Sequence, residues 1–363
     1  MVQNILITGA AGYIGGSVLA DLLIHSNDSF KDAKFFAAVR AQDQVESVSK
    51  LGIEAVNVDL NDKAAVEEAM LRNEINIVIH TAGSMYPAMT TNLVAALGQR
   101  QRDSGNKTYL IHSSVATMFT EEGGWPAGEV RDTDPLLSKE REIGTENPVR
   151  LTNILLADEG KAQNVTTLNV VVPVVYGRGT GECRKLSVNI PAFVRTSIKL
   201  KTVYKFDVDG SPAAVHISDL TSLYLLLLEK ILRQEPVPSG ENGYYFALAH
   251  RSPWWKVMDG LAKGLHSRGL VHKPEVQVWP SYDDAADTMG FPRLFMRAIG
   301  TSRFDKVNNE LTAGSGHLIP ENALKLGWKP KWDEKRFLDS LDDEIEAVQQ
   351  LDTVKMSLFD SLK

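Results

Sequence analysis

The chain has 363 residues, of which 43% are hydrophobic and 23% charged, as is typical of a globular protein larger than one small domain. Its formal net charge of −7, without a basic cluster, argues against nucleic-acid binding. The single cysteine excludes an internal disulfide and a cysteine-based zinc site, no apolar stretch is long enough to cross a membrane, and no residues have the spacing of metal ligands. We expect a cytoplasmic protein.

The first predicted elements indicate a dinucleotide site. Ile5 to Ile7 form an apolar strand pattern, glycines follow at positions 9, 12 and 15, and a helical pattern starts directly after them. Glycine at this spacing permits a tight turn, close approach of a pyrophosphate and close packing of helix on strand. The phosphates then face the amino-terminal end of the helix. The residues predicted to bind here are Thr8, Gly9, Ala11, Gly12, Tyr13, Ile14 and Gly15; the alternative is a glycine-rich turn without a ligand.

Strand and helix patterns alternate through the first half of the chain, which predicts βαβ units and a parallel sheet. Further strands are predicted at 34–39, 55–58, 75–80, 108–112 and 166–175, and helices at 61–71, at 91–101 and from 148. Residues 120–148 are rich in Gly, Pro, Asp and Glu and predict a long loop or irregular insertion. Later helices are predicted near 190–200, 219–233, 252–268 and 334–350, with short strands at 202–206, 213–217, 244–247 and 275–279.

Seven short motifs occur in order along the chain. They are Thr8-Gly-x-x-Gly12-x-x-Gly15, Asp59-Leu60, His80-x-Ala82-Gly83, Ser113-Ser114, Pro173-Val-Val-Tyr176-Gly177, Val215-His216-Ile-Ser-Asp219-Leu220 and Leu326-Gly327-Trp328-Lys-Pro330. With these motifs the chain resembles an atypical extended short-chain dehydrogenase/reductase, similar to NAD-dependent epimerases and dehydratases and, in its overall pattern, to fungal NmrA-like proteins.

The expected fold is α/β, a Rossmann doubly wound parallel sheet with a smaller C-terminal substrate lobe. Residues 1–182 are expected to form the NAD(P)-binding domain, completed by segments around 213–250. Residues 183–363 are expected to form mainly the substrate lobe and the C-terminal helices. The cleft should lie at the carboxyl ends of the strands, with residues 120–148 shaping the pocket.

The end of the second strand decides the predicted cofactor. NAD-binding proteins usually place an acidic residue there, whereas an arginine accommodates the 2′-phosphate of NADP. Here the strand ends at Arg40 and the first carboxylate is Asp43, which favours NADP(H) over NAD(H); a solvated arginine is the alternative. The resemblance implies that Asp59 holds the adenine amino group, a role compatible with helix capping. The other cofactor-site residues that we predict are Leu60, Thr81, Ala82, Gly83, Ser113, Arg150 and Pro173.

The catalytic pair of the family is missing. The resemblance implies a Tyr-x-x-x-Lys pair near residues 143–148, where the sequence reads Ile-Gly-Thr-Glu-Asn-Pro. Arg150 can supply the positive charge of that lysine but cannot shuttle a proton. The remaining candidates for catalysis are the hydroxyl groups of Ser114, Tyr86 and Tyr176, with His112 or His216 as an acid at neutral pH.

Three functions stay open. The first is an NADP(H)-dependent oxidoreductase that acts on a small organic carbonyl, enone or imine. The second is a non-catalytic NAD(P)-binding sensor of the NmrA-like type, and the third is a non-redox isomerase or cyclase that retains the nucleotide. We favour an enzyme with a small-molecule substrate, no nucleic-acid partner, no membrane partner and no metal; a homodimer is possible, because dimers are common in the family.

Overall fold

The computed structural model describes residues 3–25, 30–302, 305–307, 310–312 and 316–351. Its strands are β1 (Gln3–Thr8), β2 (Ala33–Val39), β3 (Glu54–Asn57), β4 (Ile77–His80), β5 (Tyr109–Val115), β6 (Glu129–Arg131), β7 (Thr166–Val172), β8 (Val174–Tyr176), β9 (Tyr204–Lys205), β10 (Ala213–His216), β11 (Tyr244–Phe246), β12 (His250–Arg251), β13 (Gln277–Val278), β14 (Asp305–Val307), β15 (Glu310–Thr312) and β16 (His317–Ile319). Its α-helices are α1 (Tyr13–Ile24), α2 (Gln42–Ser49), α3 (Lys63–Arg72), α4 (Pro87–Ser104), α5 (Leu136–Ile143), α6 (Pro148–Gln163), α7 (Asn189–Leu200), α8 (Ile217–Leu232), α9 (Trp254–Ser267), α10 (Tyr282–Met289), α11 (Arg293–Thr301), α12 (Glu321–Lys325), α13 (Glu334–Asp339) and α14 (Leu341–Leu351).

Seven strands form one parallel sheet in the order β3-β2-β1-β4-β5-β7-β11. The order reverses direction between β1 and β4, which is the pattern of a doubly wound sheet, and this confirms the predicted Rossmann-type fold. Parallel strands need helical crossovers and are buried on both faces, which explains why Ile5, Leu6 and Ile7 in β1 are at most 2% exposed.

Alternate residues of each strand pack against different helices. On one face Ile5 and Ile7 share a core with Leu22 of α1 and Leu227 of α8. On the other face Leu6 shares a core with α3 and α4, through side chains such as Val66, Leu93 and Leu97. Burial of each such leucine contributes about 1.5–3 kcal/mol to stability. The amino-terminal end of α1 is thereby fixed beside the carboxyl end of β1.

A second hydrophobic cluster lies apart from the two faces of the main sheet. It includes Tyr176, Phe193, Trp254, Met258 and Phe337. The three-stranded sheet β12-β10-β8 adjoins it, with β10 parallel to β8 and antiparallel to β12. The chain alternates between the two regions: α8 packs on the main sheet, β11 is a strand of that sheet, and α9 lies in the second cluster. The division into domains at residue 182 stays a prediction.

Three predicted elements differ from the structure. The strand predicted at 166–175 is broken at Pro173 into β7 and β8, which join different sheets, because proline cannot donate a ladder hydrogen bond. The segment predicted as an irregular insertion contains β6 and α5, and β6 pairs with β16. The C-terminal helix is two helices, α13 and α14. Within the described residues no helix is long and apolar enough to cross a membrane.

Candidate active site

The turn from β1 into α1 leaves no room for a side chain at Gly9 or Gly15. Gly9 has φ +68°, and a Cβ atom there would lie 2.9 Å from the carbonyl carbon of Thr81. A Cβ atom on Gly15 would lie 2.3 Å from the Thr81 hydroxyl oxygen and 2.4 Å from the Gly9 carbonyl oxygen. Gly12 caps α1 without a side chain. The bare backbone at the head of this helix fits a pyrophosphate, which needs close approach and free N–H groups.

Thr81 fastens this turn to the neighbouring strand. Its hydroxyl donates a 2.7 Å hydrogen bond to the Thr8 carbonyl oxygen, and its N–H donates to the Thr8 hydroxyl at 3.3 Å. The Thr8 hydroxyl in turn lies 2.7 Å from Nδ1 of His80. Thr81, Ala82 and Gly83 therefore meet Thr8 and Gly9 at the carboxyl ends of β1 and β4. The small residues after β4 were the signal for this site, but the role of Thr81 as a brace was not predicted.

Arg40 and Asp59 lie at the carboxyl ends of the adjacent strands β2 and β3, and both are exposed. Hydrogen bonds from the Asn61 N–H (3.0 Å) and side chain (3.1 Å) lower the pKa of Asp59, and the positive charge of Arg40 lowers it further. Leu60 follows Asp59 and is buried in the core below. The two charged residues that we predict to bind the adenosine half are thus near each other and open to solvent.

The two adjacent serines of β5 point to opposite faces of the sheet. The Ser113 hydroxyl lies 2.6 Å from the hydroxyl of Tyr224 on α8. Ser114 is 1% exposed, and its Oγ has no hydrogen-bond partner among the described residues. Ser113 is therefore engaged with a helix, whereas the hydroxyl of Ser114 is uncommitted.

The two candidate tyrosines have different surroundings. Tyr86 precedes α4 and is half-buried, with its ring over Gly83, where a Cβ atom would lie 2.6 Å from the ring. Tyr176 is fully buried, its hydroxyl lies 2.7 Å from Nε2 of His250, and burial raises its pKa. The catalytic assignment of Tyr176 stays a prediction, and this burial does not favour it.

His112 and His216 are poor acids at neutral pH. Burial lowers the pKa of both, that of His216 to about 3. Nδ1 of His216 accepts the N–H of Ser218 at the start of α8, and its ring stacks on Trp332 at 3.7 Å. Both imidazoles are therefore neutral at pH 7 and lack the extra proton that an acid would donate.

The helix expected to carry the Tyr-x-x-x-Lys pair is α6, which begins at Pro148. None of the nine tyrosines of the chain is followed by lysine four residues later. Arg150 is 3% exposed, and its guanidinium donates to the carbonyl oxygens of Gly144 (3.1 Å) and Gly123. Asn153, one turn later, donates to the Glu140 carboxylate at 2.8 Å. Arg150 thus ties residues 120–148 to α6, and its contact with a dinucleotide stays a prediction.

Two of the sequence motifs meet at the junction of the two clusters. The Asp219 carboxylate accepts the backbone N–H groups of Lys331 and Trp332, both at 2.9 Å. The Trp328 indole donates to the Asp219 carbonyl oxygen at 3.0 Å. The motifs around Asp219 and Trp328 therefore form one structural joint between the two clusters.

The loop after β8 packs on the head of α1. The Tyr13 hydroxyl donates to the Gly177 carbonyl oxygen at 2.7 Å, and the Gly177 N–H donates to the carboxylate of Glu344 on α14. Burial raises the pKa of Glu344 to about 7. The sequence analysis did not single out Glu344, because the helical pattern there gives no sign of its contact with a residue 167 positions earlier.

The remaining predicted residues surround these contacts. Ala11, just before α1, and Ile14, in its first turn, pack against the core of the main sheet, and Pro173 links β7 to β8. No group of His, Cys, Asp and Glu in the described part of the chain could hold a metal ion.

Curated relatives match the chain at low identity. An oxidase named ucsJ from Acremonium sp is 23% identical over 299 residues, which cover 76% of this chain and 83% of the relative. UDP-glucose 4-epimerase from Caenorhabditis elegans is 26% identical over 267 residues, which cover 63% of this chain and 74% of the relative.

Solved structures share the fold. UDP-glucose 4-epimerase from Thermotoga maritima with UDP-glucose has a TM-score of 0.62 at 16% identity, covering 96% of this chain and 99% of that one. Vestitone reductase from alfalfa has a TM-score of 0.58 at 16% identity, covering 97% and 99%. The model of the NAD dependent epimerase/dehydratase family matches residues 5–237. This match spans the glycine turn, Arg40, Asp59 and both serines of β5, and the chain belongs to the NAD dependent epimerase/dehydratase family.

Proposed function

We propose that the protein is an NADP(H)-dependent oxidoreductase that acts on a small organic carbonyl, enone or imine. The observation that supports it most is the bare turn from Gly9 to Gly15, braced by Thr81 at the switch point of a parallel sheet. In such proteins the bound nicotinamide supplies the hydride chemistry, and the protein supplies binding and orientation.

Arg40 supports the choice of NADP(H). Its guanidinium is exposed at the end of β2, beside Asp59, and no acidic side chain stands in its place. Arginine binds phosphate through charge-assisted hydrogen bonds, whereas an acidic residue there would repel a 2′-phosphate. In this proposal Arg40 holds the 2′-phosphate and Asp59 the adenine.

The proposed substrate end lies at the carboxyl edge of β5. Ser114 offers an uncommitted hydroxyl there, and Tyr86 lies beyond β4 over Gly83. Either can donate a hydrogen bond to a substrate oxygen or nitrogen. Enones and iminium ions need less acid catalysis than simple ketones, so a site without the tyrosine–lysine pair suits activated substrates.

A non-catalytic dinucleotide sensor is the second candidate. The observation that favours it is that Arg150, which could supply the charge of the missing lysine, and Asn153 are used in contacts with Gly144 and Glu140, next to residues 143–148, where the pair is expected. In this case the dinucleotide would change the packing of residues 120–148 without turnover.

Binding and turnover assays separate these functions. We would measure the affinity for NADPH and NADH by fluorescence, then follow the nicotinamide absorbance with a panel of imines, enones and ketones. Tighter binding of NADPH with its oxidation supports the oxidoreductase. Binding without oxidation of NADPH across the panel favours the sensor, conversion of a substrate without net loss of NADPH favours an isomerase or cyclase, and no binding of either dinucleotide overturns the proposal.

We further propose a cytoplasmic location and a homodimer through α4 and α6, the helices after the fourth and fifth predicted strands. Cell fractionation tests the first, and light scattering of the purified protein tests the second.

A further inference from the structure

Five side chains form a polar row across the main sheet, one from each of five neighbouring strands. Thr8 of β1 lies opposite His80 of β4, and His80 lies opposite His112 of β5. His112 lies opposite Asn169 of β7, and Asn169 opposite Tyr244 of β11. Aligned residues of parallel strands point to the same face, so these five share one face of the sheet.

The polar row continues into two helices. The Tyr244 hydroxyl donates a 2.8 Å hydrogen bond to the carboxyl group of Glu140 on α5, and Asn153 of α6 donates to its other oxygen at 2.8 Å. At the opposite end, the Thr8 hydroxyl lies 2.7 Å from His80 and the rings of His80 and His112 are 5.4 Å apart. The row thus runs from the glycine turn to Glu140.

Several atoms of the row lack a protein partner. Both ring nitrogens of His112 make no hydrogen bond with any described residue, although His112 is fully buried. Asn169 is 3% exposed and has the Tyr244 hydroxyl beside its amide, a contact that cannot satisfy both amide atoms. Each unsatisfied buried group would cost about 1–3 kcal/mol. Internal water commonly satisfies such groups, so we expect ordered water along the row.

The row also leads to the candidate site. Ser114 lies two residues after His112 on the same face of β5, toward the carboxyl edge, and its hydroxyl is likewise unpartnered among the described residues. His112 is therefore placed between the interior of the row and the hydroxyl that would face a substrate.

The groups of the row can carry a proton. Burial lowers the pKa of His80 to about 4 and that of His112 as well, so both are neutral and each can accept a hydrogen bond at one nitrogen and donate at the other. Burial raises the pKa of Glu140 to about 7. The groups that oppose this rise are the hydrogen bonds from Asn153 and Tyr244 and the positive charge of Arg150. The positive charge of Arg141, on the same helix, lowers the pKa of the Tyr244 hydroxyl.

We infer that this row is a hydrated proton path that stores a proton at Glu140 and delivers it to Ser114. The inference rests on the proposed function, in which the reduced substrate needs a proton from the protein. In the protonated state the Glu140 O–H donates to the Tyr244 oxygen and the Tyr244 hydroxyl hydrogen turns toward Asn169, the reverse of the direction with an ionised Glu140. The Glu140 O–H bond then breaks as its proton passes to the Tyr244 oxygen, and the Tyr244 proton moves to water at Asn169. His112 accepts a proton at one nitrogen and releases one at the other, and Ser114 gains that proton as its own passes to the substrate. Glu140, left as a carboxylate, regains a proton from solvent, so one proton is transferred and no group of the path is oxidised.

Infrared spectroscopy of the purified protein tests the path without a substrate. The Glu140→Gln variant assigns the carbonyl band of the protonated Glu140 carboxyl near pH 6. The protein is then transferred to D2O, and the rate at which this band shifts reports exchange of the buried proton. We expect exchange to slow by about tenfold or more in His112→Phe and Asn169→Leu, because each removes a polar relay group. His250→Phe, the same change at a half-buried histidine outside the row, should leave the rate unchanged.

Each outcome decides the inference. The inference is wrong if the carboxyl band is missing at pH 6. It is also wrong if both row variants unfold cooperatively and exchange the proton at the wild-type rate. If one row variant fails to fold, the other still decides. NADPH affinity is measured on the same samples: exchange through the row without NADPH binding contradicts the proposed function but supports the path, whereas NADPH binding with no effect of the row variants contradicts the path alone.

Discussion

The hydroxyl of Tyr13 donates a 2.7 Å hydrogen bond to the carbonyl oxygen of Gly177, 164 residues away. The same glycine donates its N–H to Glu344 of α14. A single residue thus connects the first helix after the glycine turn to the last helix described. Gly177 has φ +93°, and a Cβ atom there would lie 2.2 Å from the ring of His216. Another residue at this position would therefore have to displace His216.

We predict that Tyr13→Phe weakens NADPH binding and lowers the free energy of unfolding by about 0.5–1.5 kcal/mol, the usual net value of one hydrogen bond. Glu344→Ala should have a similar effect, and the two changes together should cost less than their sum, because both act through Gly177. Urea unfolding and NADPH titration measure both effects, with Tyr109→Phe at the far end of β5 as the control. Additive losses would show that the two bonds are independent.

Gly15→Ala should abolish dinucleotide binding. The new methyl group would lie 2.3 Å from the Thr81 hydroxyl and 2.4 Å from the Gly9 carbonyl oxygen, so the turn must open. Gly105→Ala is the control for backbone strain alone, because that glycine lies outside the turn and has a positive φ (+71°), which disfavours alanine, but no atom within 4 Å of the added methyl group. NADPH titration of both variants, with thermal unfolding alongside, separates a lost site from strain. Full binding by the Gly15 variant would refute the close-approach argument.

Arg40→Ala should weaken NADPH binding by roughly 10- to 150-fold, the loss of a charged hydrogen bond worth about 1.5–3 kcal/mol. NADH binding should change little, because NADH has no 2′-phosphate. Arg72→Ala, an exposed arginine near the end of α3, is the matched control. Equal losses for NADPH and NADH would contradict the assignment of Arg40.

The two serines of β5 should respond differently to alanine. Ser113→Ala removes the contact with Tyr224 and leaves a buried hydroxyl unpaired, so the free energy of unfolding should fall by about 1–3 kcal/mol. Ser114→Ala removes a hydroxyl with no partner among the described residues, so stability should change little while turnover of an accepted substrate falls. Urea unfolding and steady-state rates for both variants test this contrast; the reverse pattern would assign the catalytic role to Ser113.

Glu140 should make the protein less stable as the pH rises. The pKa of its carboxyl is raised from 4.5 to about 7 in the fold, so between these values the unfolded chain releases a proton that the folded chain retains. Raising the pH through this window therefore favours unfolding, by up to roughly 3 kcal/mol for a shift of this size. Glu140→Gln cannot ionise and should lose this dependence.

The comparison is the free energy of urea unfolding of both proteins from about pH 5 to pH 8. The lowered pKa values of His80 and His112 act with the opposite sign, favouring the fold as the pH rises toward 6.5, but they are common to both proteins. A pH-independent difference between wild type and Glu140→Gln would mean that Glu140 is ionised throughout.

The alternation of strands and helices and the glycine turn could be predicted from the sequence, because both depend on local patterns. A proline within a strand pattern indicates a break, so Pro173 was a signal in the sequence. The sheet that each half joins, however, depends on pairing with β10 and β11, some 40 and 75 residues later. The short helix α5 was hidden in a segment rich in turn-forming residues.

Local sequence patterns indicated the glycine turn, but not the polar row. His80, His112 and Asn169 are polar residues within apolar strands, which is a signal of a special role, but only the register of the sheet aligns them. The contact between Ser113 and Tyr224 joins residues 111 positions apart, so no local pattern predicts it. Glu140 was missed because α5 itself was missed.

The strand order of the main sheet determines when each strand can pair during synthesis on the ribosome. Strand β7 pairs with β11 on its outer side, so this edge stays unpaired until about residue 246 has emerged from the ribosome. The face that α8 covers stays open almost as long, and α14 reaches Gly177 later still. An exposed edge of valine-rich strand is a template for aggregation. A nascent chain stalled between β7 and β11 would therefore be the species most in need of a chaperone.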